Sequence, residues 1–145
     1  MDEEAYKAAR EEINPLACPF EKAILFRCCN CELASRKNIA ERETVSCRSA
    51  VARENCHTLR EHLRANALFA LGLTHSGPLP HGKEIKVQCG GLIGLQRALH
   101  PDRDAPVENV HALMLSAQQE FDSLEDFPYS EIIQSIAAYE SRRKR

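Results

Sequence analysis

Apolar residues recur at helical spacing over most of the chain, and no segment convincingly reads as a strand. The longest such pattern, residues 49–72, puts one buried face on Cys56, Leu59, Leu63, Ala67 and Ala70. Spacing of i, i+3 and i+4 is typical of an amphipathic helix packed on one side. Because Ser46 or Ser49 could cap the first turn, we expect Cys47 at or just before the start of this helix.

Four further helical segments are expected around this long core helix. A short charged helix covers residues 2–12, another lies near residues 83–99, and a C-terminal pair occupies residues 107–145. Asp104 could cap the first helix of the pair, and Pro128 opens the second. We therefore predict an all-α fold, in which residues 1–145 form a single-domain helical bundle of about five helices. Residues 16–46 form an irregular Cys-rich segment within it.

Composition narrows the classes of partner. The net charge is −2, which does not favour a broad electrostatic surface for nucleic acid. The acidic N-terminal segment lacks the apolar stretch of a secretory signal, and no apolar run approaches the ~20 residues that cross a bilayer. We expect a cytoplasmic protein with no nucleic-acid or membrane partner. The basic residues 141–145 are typical of a solvated helix end.

Seven cysteines are the main chemical feature, and three of them fall within four positions, at Cys28, Cys29 and Cys31. In a reducing compartment, thiols serve better as ligands or reactive groups than as a disulfide framework. Cys28 and Cys31 form a C-x-x-C pair whose two thiolates can reach one metal from a tight turn. We expect both to bind metal, with Cys29 turned away.

Two more ligands are needed for a four-thiolate site, and the simplest set adds Cys47 and Cys56. In one continuous helix their sulfurs would point in opposite directions, on the order of 13 Å apart along the axis. Sharing a centre therefore requires Cys47 to precede the helix. Cys18, which is followed by proline, is a further possibility.

Cys89 is another predicted metal ligand because two glycines follow it. Gly90 and Gly91 each cost about 1 kcal/mol in a helix interior, so something should compensate for them. We predict that they give a bulky cofactor room to approach the backbone. The alternative is a close crossing with another helix.

Cysteine-only ligation with irregular gaps favours an iron–sulfur cluster, such as a 4Fe–4S cluster, over zinc. Zinc remains the alternative because His57 and His62 could join a mixed site, and thiols that simply pack in the core are a third possibility. The predicted function is electron transfer or redox sensing with a redox partner protein. No catalytic residues are predicted, since no family signature supports a nucleophilic cysteine.

One segment of the sequence indicates a different class of protein. His100-Pro101-Asp102, after an apolar helix, resembles the loop of J-domain co-chaperones, and residues 117–126 are similar to the end of that family's third helix. The resemblance covers about a quarter of the chain and departs from the family at Gly90 and Gly91. It would imply that His100 and Asp102 contact an Hsp70 partner.

Overall fold

The computed structural model describes residues 3–5, 8, 14–74, 77–103 and 106–140. Its elements, in chain order, are α1 (Glu21–Leu25), β1 (Ala34–Ile39), β2 (Arg42–Cys47), α2 (Ala50–Ala67), α3 (His81–Leu99), α4 (Val110–Phe121), a 3-10 turn (Leu124–Asp126) and α5 (Tyr129–Ala138). Residues 3–5 and 8 are also helical. The rest of the expected helix at residues 2–12, the Asp104 cap and the basic tail lie outside the described residues.

The prediction of an all-α fold is wrong, because β1 and β2 form an antiparallel hairpin within the supposedly irregular Cys-rich segment. Ile39 pairs with Arg42 across a two-residue turn. Both turn residues, Ala40 and Glu41, have positive φ angles of 50° and 70°, as the primed turns of tight hairpins require. The fold is therefore mixed, although mostly helical.

The long helix begins where its cap was expected. The Ser49 side chain accepts a hydrogen bond from the Ala52 backbone N–H at 3.2 Å, and Cys47 is the last residue of β2. The prediction that Cys47 precedes the helix is confirmed. The helix ends at Ala67, before the predicted end, and Gly72 adopts a φ of +66° in the turn that follows.

Helix α3 crosses α5 and α2 so closely that its middle has no room for side chains. A Cβ on Gly90 would lie 2.7 Å from the Ile136 Cα of α5, and one on Gly91 would lie 2.6 Å from Leu63 Cδ1 of α2. The helix runs without a break through both glycines. Close packing of α3 against α5 and α2 therefore explains why two glycines are kept inside this helix, which is the alternative named above. A cofactor beside Gly90 and Gly91 is not needed to explain them.

The core also holds an ion pair between α2 and α3. Arg64 Nη2 lies 2.6 Å from Glu84 Oε1, and Gln88 Nε2 donates to the same oxygen at 3.0 Å. The Gln88 amide oxygen accepts the Ala23 backbone N–H, so this polar cluster joins α1, α2 and α3. No helix within the described ranges is both long and apolar enough to cross a membrane.

Candidate metal site: a cavity lined by four thiols

A cavity of about 140 Å³ lies between the hairpin, α2 and α4, and the thiols of four cysteines line it. These are Cys18, Cys31, Cys47 and Cys56, none of which forms a disulfide. The apolar part of the wall consists mainly of Phe20, Ile24, Leu33, Val110 and Met114. Four cysteines that lie far apart in the sequence therefore line one largely apolar cavity.

The edge of the hairpin brings Cys18 and Cys47 together. Residues before α1 run antiparallel beside β2, with a bridge between Ala17 and Ser46. The Cys18 N–H donates to the Val45 carbonyl at 2.9 Å, and the Cys47 N–H donates to the Leu16 carbonyl at 2.8 Å. The main chain alone thus fixes these two cysteines at the same end of the sheet.

Cys31 reaches this end through the turn that leads into β1. Ala34, the first residue of β1, pairs with Cys47, and its N–H donates to the Cys31 carbonyl at 3.1 Å. The Asn30 side-chain oxygen accepts the Cys31 N–H at 2.9 Å. Cys31 therefore lies beside Cys47, away from the turn at the far end of the hairpin.

Helix α2 supplies the fourth thiol. Cys56 lies in its second turn, three residues after Arg53 and thus on the same face of the helix. Arg53 Nε donates to the Ala17 carbonyl at 2.9 Å, which fastens this face to the segment carrying Cys18. The predicted joint role of Cys47 and Cys56 is thus geometrically possible, because the chain turns between them.

Burial favours the protonated form of two of these four thiols. It raises the pKa of Cys18 to about 12, against the lowering effect of a hydrogen bond from the Phe20 backbone, with Cys31 and Cys47 raising it further. Burial likewise raises the pKa of Cys56 to about 12, and Cys18, Cys31 and Cys47 add to the shift. Cys18 and Cys56 are thus each close enough to Cys31 and Cys47 for the charges of those sulfurs to affect them.

An imidazole shares the wall of the cavity with the thiols. His111 Nδ1, on the first turn of α4, lies 2.8 Å from Glu32 Oε1. The Glu32 N–H donates to the Asn109 side-chain oxygen at 3.1 Å, so Glu32 is itself held in place beside Cys31. The sequence patterns did not single out His111, since it lies far in sequence from every cysteine.

The other predicted ligands lie elsewhere. Cys28 and Cys89 form a disulfide with a Cα–Cα distance of 5.9 Å, and neither lines the cavity. Cys29 is buried, and burial raises its pKa, with smaller contributions from Cys18 and Cys31. The structure thus groups Cys31, Cys47 and Cys56 of the predicted set with Cys18, whose only sequence signal was the following proline.

The thiols face a shared space rather than a single point. Within the described part of the chain, no group of three or more His, Cys, Asp or Glu side chains is arranged to hold a metal ion. The loop containing His100, Pro101 and Asp102 is exposed after α3, and none of these three residues lines the thiol cavity. Comparison with family models, curated proteins and solved structures finds no match to this chain.

Proposed function

We propose that this protein binds an iron–sulfur cluster in the cavity lined by Cys18, Cys31, Cys47 and Cys56, and that it serves electron transfer or redox sensing. The observation that carries the proposal is the meeting of four unpaired thiols from four separate segments around one largely apolar cavity. Thiolates are the usual protein ligands of such clusters, and apolar walls control solvent access and the reduction potential. This ligand set includes Cys18 in place of Cys28 and Cys89, whose sulfurs are bonded to each other.

The size of the cavity supports a cluster over a single zinc ion. Four sulfurs about 2.3 Å from one zinc ion must lie within about 4 Å of each other. In a cluster the sulfurs bind different irons and stand further apart around a larger body. A cavity of about 140 Å³ is many times the ~10–15 Å³ that one water requires.

Access to the surface supports a redox role with a partner protein. Val51 and Leu115 line the same cavity and are 75% and 51% exposed. A centre in this cavity would therefore lie close to solvent, where a partner could approach.

The first test is anaerobic purification followed by iron, zinc and acid-labile sulfide analysis and visible spectroscopy. We expect iron and sulfide in the wild-type protein, and little of either in Cys31→Ser or Cys56→Ser. Cys29→Ser is the matched control, because Cys29 is buried nearby without lining the cavity, and it should keep the full metal content. Equal metal content in all three variants would contradict the proposal. A colourless protein that contains zinc would favour the zinc alternative, and the co-chaperone role of His100 and Asp102 stays a separate prediction.

A further inference from the structure

His111 brings a nitrogen donor to the cavity wall, and a carboxylate holds its ring. Its Nδ1 lies 2.8 Å from Glu32 Oε1. A carboxylate only accepts hydrogen bonds, so in the neutral imidazole Nδ1 carries the hydrogen and Nε2 keeps its lone pair. In metal-binding histidines, the ring nitrogen that does not bind the metal almost always donates its N–H to an acceptor such as a carboxylate. This hydrogen bond fixes the tautomer and the orientation of the ring.

The backbone around His111 is fixed to the turn that carries Cys31. The Asn30 N–H donates to the Val107 carbonyl at 2.9 Å, and the Val110 N–H donates back to the Asn30 carbonyl at 2.9 Å. The start of α4 and the Cys31 turn therefore form one connected unit. His111 is presented to the cavity by the same part of the molecule that presents Cys31.

The Cys47 thiol donates a hydrogen bond, whereas the Cys18 sulfur accepts one from the Phe20 backbone. The acceptor of the Cys47 thiol is the Ser49 carbonyl at 3.2 Å, at the turn before α2. A metal-bound thiolate can accept a hydrogen bond but has no proton to donate, so metal binding would break the contact of Cys47. Five donors line the cavity, whereas a cluster held by the protein commonly takes four.

We propose that His111 Nε2 is a ligand of the metal centre, in the position that Cys47 would otherwise take. This inference rests on the proposed function and deepens it, because it makes the site a mixed sulfur and nitrogen site. A neutral nitrogen in place of a thiolate leaves the centre less negative, and histidine ligation of this kind raises the reduction potential of an iron–sulfur centre.

The test compares His111→Ala with His57→Ala in protein loaded anaerobically with iron and sulfide. His57 is the matched control: it follows Cys56, and its Nε2 lies 3.5 Å from Glu61 Oε1, but it does not line the cavity. Pulsed EPR of the reduced, ¹⁵N-histidine-labelled protein should show nitrogen coupling in the wild type and in His57→Ala. In His111→Ala the coupling should vanish while metal is retained through Cys47, and the reduction potential should fall. For a zinc-loaded protein, X-ray absorption provides the same comparison through imidazole scattering.

Serine variants of Cys47 complete the design. Cys47→Ser should keep both the metal and the nitrogen coupling, whereas His111→Ala combined with Cys47→Ser should lose the metal. A metal-loaded wild type without nitrogen coupling, coupling that persists in His111→Ala, or metal loss in Cys47→Ser alone would overturn this inference and leave the thiol cavity standing. Absence of metal from every variant and from the wild type would overturn the proposed function as well. Circular dichroism of each variant identifies any that fails to fold.

Discussion

Arg64 shows at the scale of a single residue how this core tolerates a charge. The residue is 7% exposed and Glu84 is 2% exposed, so neither charge is fully solvated. Besides the 2.6 Å contact of Nη2, Arg64 Nε lies 3.0 Å and 3.1 Å from the two oxygens of Glu84. Arg64 Nη1 also reaches Glu61 Oε1 at 3.3 Å, but that carboxylate is 40% exposed. The two acidic partners of one guanidinium thus differ in burial and in the number and closeness of their contacts.

Glu84→Gln should lower the free energy of unfolding by about 3 kcal/mol or more, because it removes the buried countercharge of a buried guanidinium and leaves only the half-exposed Glu61. Glu61→Gln removes an acidic partner of the same arginine at a half-exposed position, where such pairs contribute about 1 kcal/mol at most. Urea unfolding of both variants checks the difference. Similar losses for the two substitutions would show that burial does not set the strength of these contacts.

Residue patterns in the sequence identified the cavity cysteines only in part. Cys31, Cys47 and Cys56 were singled out in advance, and the Ser49 cap correctly placed Cys47 outside the helix. The sequence gives only a weak signal for Cys18, because its position follows from main-chain pairing with β2, which no local pattern indicates. The pairing of Cys28 with Cys89 joins positions 61 residues apart, and connectivity of this kind cannot be read from spacing alone.

At the scale of elements, the four long helices from α2 to α5 were predictable, but the short helix α1 and the hairpin were not. Strand β1 reads Ala-Ser-Arg-Lys-Asn-Ile and is largely exposed, while three successive residues of β2, Thr44, Val45 and Ser46, are all buried. Neither strand therefore shows the alternation that identifies a half-buried strand. The turn is Ala40-Glu41 rather than the Asn-Gly or Asp-Gly pair that would have marked it.

The glycines of α3 should respond to alanine in opposite ways according to their neighbours. Gly90→Ala gains helix propensity but places a Cβ against the α5 backbone at 2.7 Å. Such overpacking costs about 1–3 kcal/mol, so the melting temperature should fall. Gly82→Ala, in the first turn of the same helix, meets nothing within 4 Å and should stabilise the protein by up to about 1 kcal/mol. Thermal unfolding of both variants measures this contrast. A higher melting temperature for Gly90→Ala would contradict the prediction, because it would show that α5 can shift away from the added methyl group at little cost.

For the whole molecule, the Cys28–Cys89 disulfide links the Cys-rich segment to the middle of α3. The linked positions are 61 residues apart, and the intervening chain includes the hairpin and all of α2. A cross-link that closes a loop of this length restricts the unfolded chain considerably. The disulfide thus connects the part of the chain that carries the cavity thiols to the helix that packs on α5.

Reducing this disulfide should lower the free energy of unfolding by about 4 kcal/mol, the chain-entropy value for a loop of this length. Urea unfolding of metal-free protein with and without dithiothreitol measures the effect. The double variant Cys28→Ala with Cys89→Ala should be insensitive to the reductant. If the wild-type protein shows the same midpoint in both conditions, the cross-link contributes nothing to global stability.

The contacts between residues 16–18 and β2 also bear on how the protein could diverge during evolution. Both N–H donors there belong to Cys18 and Cys47 themselves, and both acceptors are main-chain carbonyls. Side chains at Leu16 and Ala17 could therefore change over many generations without moving the thiols. Distant relatives could then share few residues with this chain, yet keep the intervals that separate its four cavity cysteines. That spacing, rather than overall similarity, is the mark by which such relatives would be recognised.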